Sequence, residues 1–185
     1  MSDSNVNTAA VGAAHALRLL DPGPLAELRR MEPEIAAPAF WCLAARYPDT
    51  IGARSAEWVE IIRILAILTP KGDPEGRPAL HDPTRQLGWV LCEGGDPGWS
   101  GGRPVLSERR LAQLLASRGP ARGVALTRAA RALAQGRPSY AGLDVRGIAW
   151  AILNPTSTAR IAEQYYRRLD RSTAAAEAAE KDISA

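Results

Sequence analysis

Thirteen of the chain's 21 arginines fall between Arg103 and Arg171, and that stretch holds only four acids, Glu108, Asp144, Glu163 and Asp170. Residues 101–171 therefore carry a surplus of nine positive charges, whereas residues 1–100 set nine basic side chains against thirteen acidic ones. The tail 172–185 is acidic again, with Lys181 facing Glu177, Glu180 and Asp182. A formal net charge of only +3 hides this division. A one-signed field of this kind attracts a polyanion. The guanidinium fork matches phosphate oxygens and stacks on bases, which suits nucleic acid better than a membrane surface. Lys71 and Lys181 are the only lysines, but GC-rich coding also replaces Lys by Arg. The uneven distribution of the arginines, not their number, carries the signal.

The spacing sorts the arginines onto helices. Glu108-Arg109-Arg110 opens one, and Arg118 and Arg122 bracket the turn that follows. Arg128 and Arg131, three apart, share a face of the next helix. Arg160, Arg167 and Arg168 extend the last. Forks arranged in this way can follow a phosphate backbone without reading bases. Trp99, Tyr140, Trp150, Tyr165 and Tyr166 are the aromatics near these arginines in the sequence and are candidates to stack on single-stranded bases, although Trp150 and Tyr166 sit in apolar helical registers and read as core. The polar face of a helical bundle would explain the spacing of the arginines, but not the lack of acids opposite them.

Other chemistry finds little support. His15 and His81 have no Cys or Asp at ligand spacing apart from the adjacent Asp82, and CxxC, HxxxH and HExxH are absent, so no metal is expected. The Gly-rich stretch has neither a Walker lysine nor GxGxxG after a strand. No nucleophile–base set stands out, and neither a catalytic residue, a cofactor nor a small-molecule substrate is expected. Cys42 and Cys92 sit among apolar residues and read as free buried thiols. No apolar run spans a membrane and the N-terminus is no secretory signal, so a cytoplasmic protein without membrane contact is expected.

The elements that must position these arginines are helices. The pattern predicts Ala13–Leu20, Pro24–Met31, Pro38–Arg46, Ser55–Leu68 capped by Ser55, Thr84–Cys92, Ser107–Ala116, Arg122–Ala134, Val145–Leu153 capped by Asp144, and a long helix from Ser157. A Pro-rich loop covers 70–83 with His81 exposed, and a loop with two Gly-Gly pairs covers 93–104, its backbone either mobile or specially turned. No β-alternation is present. The expected fold is all-α without a sheet: two small helical bundles, 1–92 and the basic 105–171, joined by the Gly-rich connector 93–104 and followed by a fraying tail, 172–185.

The order of segments resembles the CasB family, the small subunit of the type I-E CRISPR surveillance complex, Cascade. The matching pieces are Leu28-Arg-Arg30, Pro38-Ala-Phe-Trp41, the helix Trp58–Leu68, Leu87-Gly-Trp-Val-Leu91, Leu106-Ser-Glu-Arg-Arg-Leu-Ala-Gln-Leu-Leu115, Leu126–Leu133, Leu143-Asp144 and Arg160-Ile-Ala-Glu-Gln-Tyr-Tyr166. They run from about residue 24 to 170. The resemblance implies an all-α, non-catalytic subunit. It implies two copies associating head to tail, contacts with the backbone and large subunits, guide RNA and target DNA as partners, and a role in holding the displaced strand of the R-loop. By position it places Arg30, Arg54, Arg109, Arg110, Arg128 and Arg160 on nucleic-acid-facing surfaces. The charge pattern adds Arg118, Arg122 and Arg131. The Gly-rich insertion and the acidic tail look peculiar to this chain. Two rivals stand beside this reading: a helical adaptor for an acidic protein, and a helix-turn-helix regulator built on Ser107–Ala116 and Arg122–Ala134. The second helix of that pair lacks Asn or Gln near its start to read adenine.

Overall fold

The computed structural model describes residues 2–183 apart from Pro33, Pro97, Ser139 and 155–157, and side chains as far as Ala174. The described residues form α1 (Asp3–Leu19), α2 (Pro22–Arg30), α3 (Pro38–Arg46), α4 (Ser55–Leu68), α5 (Leu87–Glu93), α6 (Glu108–Ala116), α7 (Pro120–Gly136), α8 (Val145–Leu153) and α9 (Thr158–Ile183). Short 3-10 turns lie at Gly52–Arg54 and Pro74–Gly76. There is no strand among them, and the fold is all-α as the sequence predicts. Among the described residues two isolated bridges occur, Glu32 with Ile35 and His81 with Leu143.

The centre is α4. Trp58, Ile61, Ile62, Leu65 and Ala66 are wholly buried, and Ile64 and Leu68 nearly so. A helix apolar around most of its circumference must be enclosed. α1, α2 and α3 cover it from the N-terminal half, α7 and α8 from the C-terminal half. One contiguous core therefore runs through both charge regimes. Where α4 meets α7, Gly123 allows close approach; a Cβ there would lie 3.2 Å from the Glu60 carboxyl carbon. Arg63 bridges the same seam, donating to Glu60 at 2.6 Å and to Thr127 at 3.3 Å.

α1 is much longer than the predicted Ala13–Leu20. It starts at Asp3, with the Ser2 hydroxyl accepting from the Ser4 amide. Val6, Ala9, Ala10, Ala13, Ala14 and Leu17 are buried at helical spacing. A stripe of alanines gives almost no hydropathy contrast, yet it lets α1 lie close against α8 and α4.

α5 starts at Leu87, later than the predicted Thr84, because Asp82 Oδ1 accepts from both the amide (2.9 Å) and the hydroxyl (2.6 Å) of Thr84. Such a local turn competes with helix initiation. α5 crosses α9 at Gly88, whose amide donates to Gln164 Oε1 at 3.1 Å. A Cβ at Gly88 would lie 2.4 Å from the Ile161 carbonyl oxygen. The Gly of Leu-Gly-x-x-Leu is thus required by a backbone-to-backbone contact.

Of the two readings of the Gly-rich stretch, mobile or specially turned, the backbone takes the second. Gly94, Gly95, Gly101 and Gly102 all have positive φ. The chain then returns so that Val105 and Leu106 donate to the carbonyls of Cys92 and Leu91, each at 3.0 Å. Glu93 is buried between Arg85 and Arg168. Arg168 also donates to the Trp99 carbonyl and lies 5.2 Å from the centre of the Trp99 ring.

Several local expectations need correction. Arg54, not Ser55, holds the N-cap position of α4, because a 3-10 turn leads into the helix. Cys42 is exposed, and only Cys92 is the buried thiol expected. Tyr165 is the core tyrosine, its hydroxyl donating to the Leu106 carbonyl at 2.7 Å, while Tyr166 is 40% exposed. His81 is partly buried, held by the bridge to Leu143, and burial lowers its pKa against the opposing pull of Asp144. The predicted start at Ser157 lies outside the described residues. The backbone of α9 continues as helix through the acidic tail to Ile183.

Candidate nucleic-acid interface

α6 buries Leu111 and Leu114, so its remaining faces, including Arg109 and Arg110, look outward. α7 buries Leu126, Ala129, Ala130 and Leu133 and exposes Val124, Arg128, Arg131 and Gln135 at intervals of four, three and four. The two helices pack on each other and leave a groove of about 820 Å³ between them. Ala121, Ala125, Ala129 and Ala132 keep it open, because small side chains do not fill it. Arg110 comes from α6, Arg128 and Arg131 from α7, and the amides of Gln113 and Gln135 stand among them. Among the described residues, no carboxylate lines the groove. None of the three guanidinium groups has a hydrogen bond or ion pair among the described residues. Arg131 and Gln135 also border a cleft of about 590 Å³ at the end of α4, which contains Lys71. Unpaired guanidinium groups spaced along a groove can each take a phosphate oxygen, and the amides can donate beside them.

The other predicted residues lie elsewhere. Arg109 is exposed beside Arg110 at the start of α6, outside the groove lining. Arg118 is exposed but already donates to the Leu115 and Ser117 carbonyls at 2.7 and 2.9 Å, closing the end of α6. Arg122 is a correction. It is 3% exposed, donating to the Ser117 carbonyl at 3.1 Å and the Ala151 carbonyl at 3.2 Å, and burial lowers its pKa. Its helical position turns it inward toward α8, so it belongs to the frame and not to the surface. Arg54 pairs with Glu57 at 2.7 Å. Arg30, exposed on α2, donates to Ala26 within its own helix. Arg160 stands exposed on the first turn of α9 between two other clefts. The structure therefore brings together Arg110, Arg128 and Arg131, and does not bring Arg30, Arg54, Arg118, Arg122 or Arg160 to the same groove. Gln113 and Gln135 carry no charge and were missed by charge counting, while Lys71 was counted with the acidic half. For the two glutamines the signal was helical spacing from Arg110 and Arg131.

A separate set of arginines closes helix ends. Arg77, 3% exposed, donates to the Leu17, Arg18 and Leu20 carbonyls at the end of α1. Arg29 donates to Ala66 and Thr69, and Arg137 to Leu68, all around the end of α4. Cations at helix C-termini satisfy orphan carbonyls and complement the dipole. Burial pushes the Arg137 pKa down to about 10, which still leaves it charged at neutral pH.

Fold and groove together define an all-helical protein with a cationic groove on its surface, lined by no described carboxylate. The family model described as CRISPR-associated protein Cse2 matches residues 24–166, from within α2 into α9 and across the whole of α6 and α7. The chain belongs to that family, the small subunit of the type I-E CRISPR complex Cascade. No curated protein matches the chain. No described helix is long and apolar enough to cross a membrane.

Proposed function

We propose that this subunit, without catalysing a reaction, binds a nucleic-acid backbone in the α6–α7 groove and so stabilises the R-loop, retaining the displaced strand inside an assembly with the backbone and large subunits and a second copy of itself. The observation that carries the reading is the set of three unpaired guanidinium groups in a groove without a carboxylate. In RNA-guided recognition the guide reads sequence by pairing, protein groups hold strands through their backbones, and strand exchange is close to balanced. A few phosphate contacts therefore suffice to shift occupancy toward the open state. Three guanidinium groups from two helices spread along the groove suit successive phosphates better than base edges, so binding is expected to be independent of sequence. The assembled complex and the isolated chain, titrated with unrelated single-stranded oligonucleotides at two salt concentrations, test this. Affinity falls steeply with salt, hardly changes with sequence, and is weak for the chain alone. Sequence-selective duplex binding retained at high salt would instead support a regulator.

A further inference from the structure

Among the described residues there are two Arg–Trp pairs, and they differ in one respect. Arg168 over Trp99 is sealed, because Glu93 and the Trp99 carbonyl hold the guanidinium and its side chain is 15% exposed. Arg171 over Trp89 is open: it is exposed, its guanidinium carbon lies 5.7 Å from the ring centre, and no described carboxylate or carbonyl holds it. The second pair stands in a cleft of about 220 Å³ at the α5–α9 seam, which shares no residue with the α6–α7 groove. Arg160, Arg167 and Arg171 reach it from one face of α9, at spacings of seven and four residues. The only carboxylate there among the described residues, Glu163, is taken by Arg167 at 2.7 Å. Two cations without a carboxylate, Arg160 and Arg171, thus flank the partly exposed ring of Trp89. Gly88 explains the placement, since the close crossing it permits sets the next residue, Trp89, at the edge of α9.

We infer that this cleft is a single-nucleotide stacking site: Trp89 takes one unpaired nucleobase on its face in place of Arg171, while Arg160 and the displaced Arg171 take the adjoining phosphates. A duplex does not fit this chemistry, because its bases are stacked on one another and offer no free face, so the site selects single strands. An aromatic face next to free guanidinium groups is the combination that binds single-stranded nucleic acid without sequence preference. The inference rests on the proposed role in strand binding but uses a different surface, which makes the two separable.

The test uses the full-length chain and two probes of equal length and charge, a single-stranded oligo-dT and its abasic counterpart. The wild type binds oligo-dT about 5- to 100-fold more tightly than the abasic strand. Trp89→Leu, which keeps apolar bulk at the seam, brings that ratio close to one, and Trp89→Phe restores most of it. The ratio is taken within one variant, so partial unfolding does not imitate the effect. Arg128→Ala with Arg131→Ala weakens both probes equally and leaves the ratio intact. A wild-type ratio near one, or a ratio that survives Trp89→Leu, would overturn the stacking site. Unchanged affinities in the Arg128/Arg131 variant would instead overturn the groove, with the stacking ratio still standing.

Discussion

Arg131 and Arg137 border the same cleft beside the end of α4, six residues apart in the chain. Arg137 donates to the Leu68 carbonyl at 2.6 Å and also to Ala141, its guanidinium enclosed by the fold. Arg131 is exposed and makes no such bond. The contrast extends outward from both: Arg77, Arg29 and Arg122 behave like Arg137, and Arg110 and Arg128 like Arg131. A surplus of positive charge in a sequence therefore mixes two populations. Guanidinium groups that close helix ends have already exchanged water for carbonyls, and their removal leaves buried acceptors unpaired. Guanidinium groups in water lose nothing on substitution except what they would have bound.

The comparison breaks most visibly if both populations are removed in turn. Replacing Arg110, Arg128 and Arg131 together by alanine should leave the melting temperature within a few degrees, since exposed substitutions rarely cost more than about 0.5 kcal/mol each. Target-DNA binding by the complex should weaken, and the log–log salt slope should flatten by about 2 for three lost contacts to a single strand. An unchanged slope would show that the groove holds no phosphate. Arg137→Ala should do the reverse. Two carbonyls lose their donor, a cost of about 2–4 kcal/mol, and the melting temperature falls by roughly 5–15 °C while binding per folded molecule is kept. Loss of binding at unchanged stability would erase the distinction between the two populations of arginine. The smallest effect is expected at Gly88→Ala, where the α5–α9 backbones must part: about 1–3 kcal/mol by thermal or denaturant unfolding, with the α6–α7 groove unaffected. A neutral result would mean that the seam is not closely packed.

Much of the helical frame was legible. The helix Ser55–Leu68, its end before the Pro-rich loop that starts at residue 70, and the cap of α8 by Asp144 depend on neighbours within one or two turns, and the structure has them, the Asp144 carboxylate accepting from the Arg146 amide at 3.1 Å. The shared face of Arg128 and Arg131 follows from helical geometry alone. Errors came where local signals were weak or overruled. α1 hides its core stripe in alanine, Thr84 is claimed by Asp82, and Tyr165 and Tyr166 differ by one position in a helix whose inward face only its neighbours define.

By itself, then, the sequence settles the all-α class, most helix positions, the basic half and the family, because each depends on composition, short spacings or the order of segments. Only the tertiary structure decides which arginines are free. Arg122 and Arg128 sit on the same helix, with the same chemistry and similar neighbours in the chain. One meets the Ala151 carbonyl, 29 residues away, and the other meets water. Which carbonyls lie at a helix end within reach of a guanidinium depends on how distant segments pack, and nothing local to an arginine records it.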